Sequence, residues 1–252
     1  MISVSTGRGR DEDWAGRLRR TAIDKRPAGG PVRVGRLGLG GDEQVDTDNH
    51  GGPDQAVYVY AREDLDWWVE QLGRDLRNGI FGENVTTAGL EVTGALIGEV
   101  WRLGTALVQV AEVRIPCVVF QNWMNEEHWA KRFAGAGRPG AMLRVLEEGA
   151  VAAGDPVEVV SRPAESVTVA EAMRAYYGDA ELMRRLLRVE GRGAKWDDVA
   201  VSVLGRAAPA RASRRAAPPS GLTSEAAKEP ERGGKTAGPS GPEASEARMG
   251  GG

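Results

Sequence analysis

The sequence holds one cysteine, Cys117, and two histidines, His50 and His128. A lone thiol cannot close an internal disulfide, which excludes a stapled secreted scaffold and points to a reducing compartment. So few thiols and imidazoles also argue against a four-ligand zinc site and exclude a cysteine-held iron–sulfur cluster. No run approaches the ~18 apolar residues of a membrane span, and the amino end lacks the apolar core and cleavage site of a leader. The phosphate-loop pattern is absent, and the glycines of Gly38–Gly41 lack the spacing of a dinucleotide fingerprint. A net charge of −3 argues against nucleic acid or an anionic membrane as the main partner. What remains is a chain of 252 residues, long enough to bury an enzyme-sized core. We expect it to be soluble and cytoplasmic.

What is present falls into three segments. Residues 1–162 carry short β-rich runs punctuated by glycine: VRVGRLGL, AVYVY, EVWRLG, TALVQVAEVR and DPVEVV. Their spacing predicts a barrel or sandwich. Two helices interrupt them. AREDLDWWVEQLG sets Leu65, Trp68 and Leu72 at three- and four-residue steps, and NWMNEEHWAKRFAGAG reads as a second helix with Trp123 or Met124 and Trp129 inward. MLRVLEEGAVAAGDPVEVV, with turn signals at Gly149 and Gly154-Asp155, reads as a β-hairpin.

Residues 163–204 change to a helical pattern. Thr168 and Glu171 form a T-x-x-E capping box with Val167 and Ala172 as a staple, so a helix starts at Val169. Tyr177-Gly178-Asp179 stops it and caps a second, striped by Leu182, Leu186 and Val189; WDDVAVSVLG makes a third. Residues 205–252 are rich in Ala, Gly, Pro, Ser, Glu and Arg, and only Leu222 and Met249 could add to a core. Such a composition does not offset its ordering entropy, so a disordered tail is expected, whose Arg211, Arg214 and Arg215 are solvated or touch a partner.

Four clusters carry chemistry. In AEVRIPCVVF, Cys117 is either a buried small apolar side chain or a reactive thiol. Pro116 marks a strand end, and Arg114 would lower the thiol pKa if the strand bends toward it. In DNHGGPDQAVYVY, paired glycines let the backbone approach a ligand, with His50 and Asp54 beside them; a plain turn is the alternative. In GIFGENVTTAGL, Glu83 and Asn84 either orient a polar ring or cap their own loop. In TAIDKRPAGG, Lys25 and Arg26 suit a phosphate or are simply solvated.

These segments in this order, TAIDKRP, GLGGDEQVDTDNHGGPDQAVYVY, FGENVTTAGL and VRIPC, resemble the MOSC family, named for the molybdenum cofactor sulfurase C-terminal domain, and within it the YiiM-type bacterial branch. TVAEAMRAYY resembles the three-helix extension of that branch, so the likeness runs from about Ser3 to Leu204. The resemblance implies a mainly β, MOSC-type barrel with peripheral helices that binds the pterin-based molybdenum cofactor, with Cys117 as thiolate ligand to the metal. It implies catalytic roles for Cys117, His50 and Asp54, and cofactor contacts from Lys25, Arg26, Glu83, Asn84 and Arg114. Relatives often carry a basic residue where this chain has Gln55, which removes one expected anion contact. The implied activity is reduction of N-hydroxylated compounds such as hydroxylaminopurines and amidoximes. Electrons would come from an external flavoprotein or ferredoxin-type reductase, since this chain has no flavin or dinucleotide motif. Two alternatives are a sulfur carrier using a Cys117 persulfide and a non-catalytic cofactor-binding module. A homodimer is compatible with the resemblance, and pyridoxal phosphate is not expected.

Overall fold

Val57–Ala61, VYVYA, is buried at every position. A strand covered on both faces reads as a continuous apolar run rather than an alternation, and this one sits inside the largest sheet. The computed structural model describes residues 1–47 and 50–207. In chain order the strands are β1 (Ser3–Thr6), β2 (Arg10–Asp11), β3 (Arg20–Thr21), β4 (Arg26–Pro27), β5 (Val32–Gly35), β6 (Gly38–Leu39) and β7 (Val57–Ala61). They continue as β8 (Val85–Thr87), β9 (Val100–Leu103), β10 (Ala106–Val113), β11 (Ala141–Glu147), β12 (Gly149–Val151) and β13 (Val157–Ser161). The helices are α1 (Arg62–Leu72), α2 (Val118–Met124), α3 (Trp129–Ala136), α4 (Val169–Tyr176), α5 (Ala180–Leu186) and α6 (Lys195–Ala207).

The fold is mainly β, as expected. Eight strands form one sheet in the order β13-β9-β10-β11-β7-β8-β1-β4, in which only the β7–β8 pair is parallel. The expected barrel is not closed by a ladder: among the described residues none joins β13 to β4. Loop backbone links the two flanks instead, the Gly154 N–H donating to the Met1 carbonyl at 2.9 Å. β12, β5 and β6 make a second, three-stranded sheet. VRVGRLGL is therefore not one strand but a tight hairpin, with Gly35 opposite Gly38. The expected hairpin near residue 150 is also corrected. Its strands exist, but β11 pairs with β10 and β7, β12 with β5, and β13 with β9. Turn residues fix a reversal, whereas the partner is chosen by long-range packing.

α1, α2 and α3 bury a cluster of rings. Phe81 lies 5.1 Å from Tyr60, 5.4 Å from Phe120 and 5.4 Å from Trp129, and Phe120 lies 5.0 Å from Phe133, centroid to centroid. Each such pair adds about 0.5–1.5 kcal/mol beyond area burial. The single helix expected from Asn122 is two helices, because Asn125 (φ 50°) and His128 (φ 53°) take the left-handed conformation. The first begins earlier than expected, at Val118.

In the helical unit, both halves of the Thr168–Glu171 capping box are made, at 3.1 and 2.9 Å. Asp179 caps α5 by accepting the Leu182 N–H at 3.1 Å. α6 runs to Ala207, past the expected end at Leu204. The rest of the expected tail, with Arg211, Arg214 and Arg215, lies outside the described residues. The unit joins the sheet through backbone: the Ile97 N–H donates to Val167 O at 3.0 Å, and the Val169 N–H to Ala95 O at 2.8 Å. At β10 the register against β11 slips between Val110 and Glu112, leaving Ala111 as an extra residue. The Ala111 carbonyl accepts from the Gly193 N–H at 2.9 Å and from Trp196 Nε1 at 3.1 Å.

Candidate functional site

β10 ends at Val113, and the chain crosses Arg114-Ile115-Pro116 to reach Cys117, which caps α2 rather than ending a strand. Cys117 has extended backbone (φ −119°, ψ 175°), and its carbonyl accepts the Gln121 N–H at 2.9 Å. Its half-buried side chain stands on the wall of a cavity of about 470 Å³. Burial pushes the thiol up. A hydrogen bond from His50, the positive charge of Arg114 and the Phe120 backbone N–H outweigh that and bring it down to about 6. The thiolate therefore dominates at neutral pH.

Arg114 stacks its guanidinium 4.6 Å from the Phe120 ring centroid and 5.4 Å from that of Tyr58. Its Nε is buried without a hydrogen-bond partner. Among the described residues no carboxylate pairs with it, so this cation is held beside the cavity by rings. Lys25 differs. It is buried and bonded through Nζ to Asp42, and burial pulls its ammonium below the usual value despite that partner. Asp42 also accepts the Gly7 N–H at 2.7 Å and Asn84 Nδ2 at 2.9 Å, so one carboxylate fixes Lys25 and Asn84 together.

The structure thus brings Cys117, His50, Arg114, Lys25 and Asn84 to one cavity. The structure places Arg26, Glu83 and Asp54 off this wall. Arg26 follows Lys25 in the chain, is exposed and pairs with Asp24 at 2.8 Å, because successive residues of an extended chain face opposite ways. Glu83 is wholly buried and accepts the backbone N–H groups of Gly79 and Phe81 and the Thr86 hydroxyl, so it holds its own loop. Burial pushes its carboxyl up. Asp54 faces away from the cavity, bound to Arg144 and to the Ala194 N–H. Gln55 reaches the cavity edge but donates to Glu112 at 2.6 Å.

Sequence reasoning missed Asp42, Tyr58 and the 15–20 segment, where Arg17, Leu18 and Arg20 form part of the wall. Asp42 had a signal, a carboxylate directly after Gly40-Gly41. The 15–20 segment had none beyond its basic charge.

These residues fit the molybdenum cofactor. A low-pKa thiolate suits a soft metal ligand, and Arg114 has an unsatisfied buried donor at the same wall. The cavity is of the size that takes a small molecule or cofactor. Among the described residues no three His, Cys, Asp or Glu side chains form a metal cluster, so a metal at Cys117 would draw its other ligands from elsewhere.

A family model described as the MOSC domain matches residues 46–158. YflK of Bacillus subtilis (strain 168) is 39% identical over 189 residues, 75% of this chain and 86% of that protein. YiiM of Escherichia coli (strain K12) is 34% identical over 182 residues, 70% of this chain and 81% of that protein. A protein of Gibberella moniliformis named Reductase is 32% identical over 167 residues, which span 65% of this chain and 29% of that longer protein. The crystal structure of YiiM from Geobacillus stearothermophilus superposes with a TM-score of 0.68 at 29% identity, covering 81% of this chain and 97% of that one. Among the described residues no helix is long and apolar enough to cross a membrane. The chain belongs to the MOSC domain family, on its YiiM-type branch, and its function is a molybdenum-cofactor-related one.

Proposed function

We propose that this protein is a molybdenum-dependent oxidoreductase that reduces N-hydroxylated compounds, of hydroxylaminopurine or amidoxime type, to the amine or amidine. The balance is N–OH plus two electrons and two protons giving N–H and water. The electrons come from an external flavoprotein or ferredoxin-type reductase. The observation that carries the reading is a thiol held near 6 on the wall of a cavity where, among the described residues, no carboxylate pairs with Arg114. When bound, the cofactor supplies two-electron redox chemistry and an acceptor for the oxygen. Cys117 is its thiolate ligand, and Arg114 is the cation for its anionic group. Asp42 orders Lys25 and Asn84 along the same wall, and His50 stands beside Cys117 at the reacting end.

The test is metal and pterin analysis of protein from a cofactor-competent host, with Cys117→Ala beside it. Stoichiometric molybdenum and reductase-coupled N–OH reduction are expected, both lost in the variant. A metal-free wild type, or a variant that keeps both, sinks the reading. The same half-exposed thiolate favours a second reading, a persulfide carrier. A mass gain of about 32 Da, one sulfur, on Cys117 after exposure to a sulfur donor would support it.

A further inference from the structure

The loop that carries His50 is held through Asp54, which does not line the cavity, and through Gln55 at its edge. Asp54 pairs through Oδ1 with Arg144 of β11 at 2.6 Å, and its Oδ2 accepts the Ala194 N–H at 2.8 Å. Gln55 accepts the Gly51 N–H at 3.0 Å and donates to Glu112 at 2.6 Å. Glu112 is buried on β10, and the Lys195 ammonium pairs with the same carboxylate oxygen. Arg144 in turn donates to the Arg192 carbonyl at 3.2 Å. Apart from the Gln55–Gly51 bond, these converge on residues 191–195, where the turn passes into the first residue of α6.

That turn is fixed against the sheet. The Gly193 N–H donates to Ala111 O, and a Cβ at Gly193 would collide with the Glu112 carboxylate, so only glycine allows this approach. In the loop it meets, Gly51 (φ 99°) and Gly52 (φ 81°) follow His50 directly and take backbone conformations that favour glycine. The near side of the loop is held by the His50 N–H on Asp46 O at 2.7 Å and the Gly52 N–H on Gln44 Oε1 at 3.1 Å, and its far side by the bonds of Asp54 and Gln55.

We infer that the 191–195 turn is a positioning clamp for His50: Lys195 and the Ala194 N–H, acting through Glu112, Gln55 and Asp54, set where the imidazole meets Cys117. The inference rests on reading the Cys117–His50 end of the cavity as its reacting end. Lys195, Glu112 and Asp54 are positioning residues, acting through the loop. Removing the Lys195 charge leaves a buried carboxylate without its cation, and the bond from Gln55 then has no fixed anchor.

The chain has only two histidines, so its imidazole NMR signals are two, and His128→Gln assigns them. In full-length protein prepared without cofactor, Lys195→Met is expected to shift and broaden the His50 signals and leave those of His128 in place. Amides of 51–57 should exchange with deuterium about tenfold faster. Lys195→Arg should restore the wild-type pattern. Asp179→Ala, which weakens the same helical unit at a distant cap, should leave His50 unmoved. Should Lys195→Met fail to fold, Asp54→Asn reads the same loop, with faster exchange expected there. Wild-type His50 signals and exchange in the loop variant, or equal changes in Asp179→Ala, overturn the clamp. None of these readouts needs molybdenum, so failure of the proposed activity and failure of the clamp are told apart.

Discussion

The two sides of Phe120 are built on opposite principles. On one side its ring meets Phe81, Trp129 and Phe133 in a dry cluster within 5.5 Å. On the other side the same ring supports Arg114, which lines the cavity and whose buried Nε has no hydrogen-bond partner among the described residues. An unmade buried hydrogen bond costs about 1–3 kcal/mol, and a chain stable by only a few times that must offset it elsewhere. The aromatic cluster supplies the offset. Stability and reactivity are thus divided across one ring, and the site is held tense by a core that does no chemistry.

The strongest way to break that division is Phe133→Ala, which should cost about 3–5 kcal/mol in denaturant unfolding while leaving the alkylation rate of folded Cys117 unchanged. A changed rate would mean that the two sides are not separate. Phe120→Leu should cost less, about 1–3 kcal/mol, yet raise the Cys117 pKa, because Arg114 loses its supporting face. His50→Ala should move unfolding by under about 1 kcal/mol but carry the thiol from about 6 toward its ordinary 9.0, read from alkylation rate against pH. Thr168→Ala, in the helical unit, should cost about 1 kcal/mol and leave the thiol alone.

The thiol also links stability to pH in protein without cofactor. Its folded pKa of about 6 lies below its ordinary 9.0, so between those values the unfolded chain binds more protons and stability rises with pH. The contribution is complete above about 9 and lost as pH falls through about 6. Cys117→Ser should lack this slope, which paired denaturation curves at pH 6 and 8.5 would show.

Local signals were legible in the sequence wherever their physics is local. The Thr168–Glu171 box, the Asp179 cap and the buried run of β7 each depend on a few neighbouring residues, and each stands where expected. Long-range choices were not legible. Nothing in MLRVLEEGAVAAGDPVEVV says that its three strands take unrelated partners, and nothing in NWMNEEHWAKRFAGAG says that Asn125 and His128 turn left-handed. In the site, residue type identified Cys117, His50, Arg114, Lys25 and Asn84. Direction separated them from Arg26, Glu83 and Asp54, and direction is set by the fold. Lys25 shows the limit of residue type: a cation suited to a phosphate is already bonded to Asp42.

The extra residue in β10 has a consequence for how the protein tolerates change. Ala111 offers its carbonyl to the Gly193 N–H and the Trp196 indole, so this one socket of the seam, beside side-chain bonds such as that of Lys195 to Glu112, is main chain on the sheet side. Substituting residue 111 leaves that socket in place so long as the new side chain fits, whereas deleting one residue from the strand erases it. At residue 111 the strand is insensitive to spelling and intolerant of a change in length.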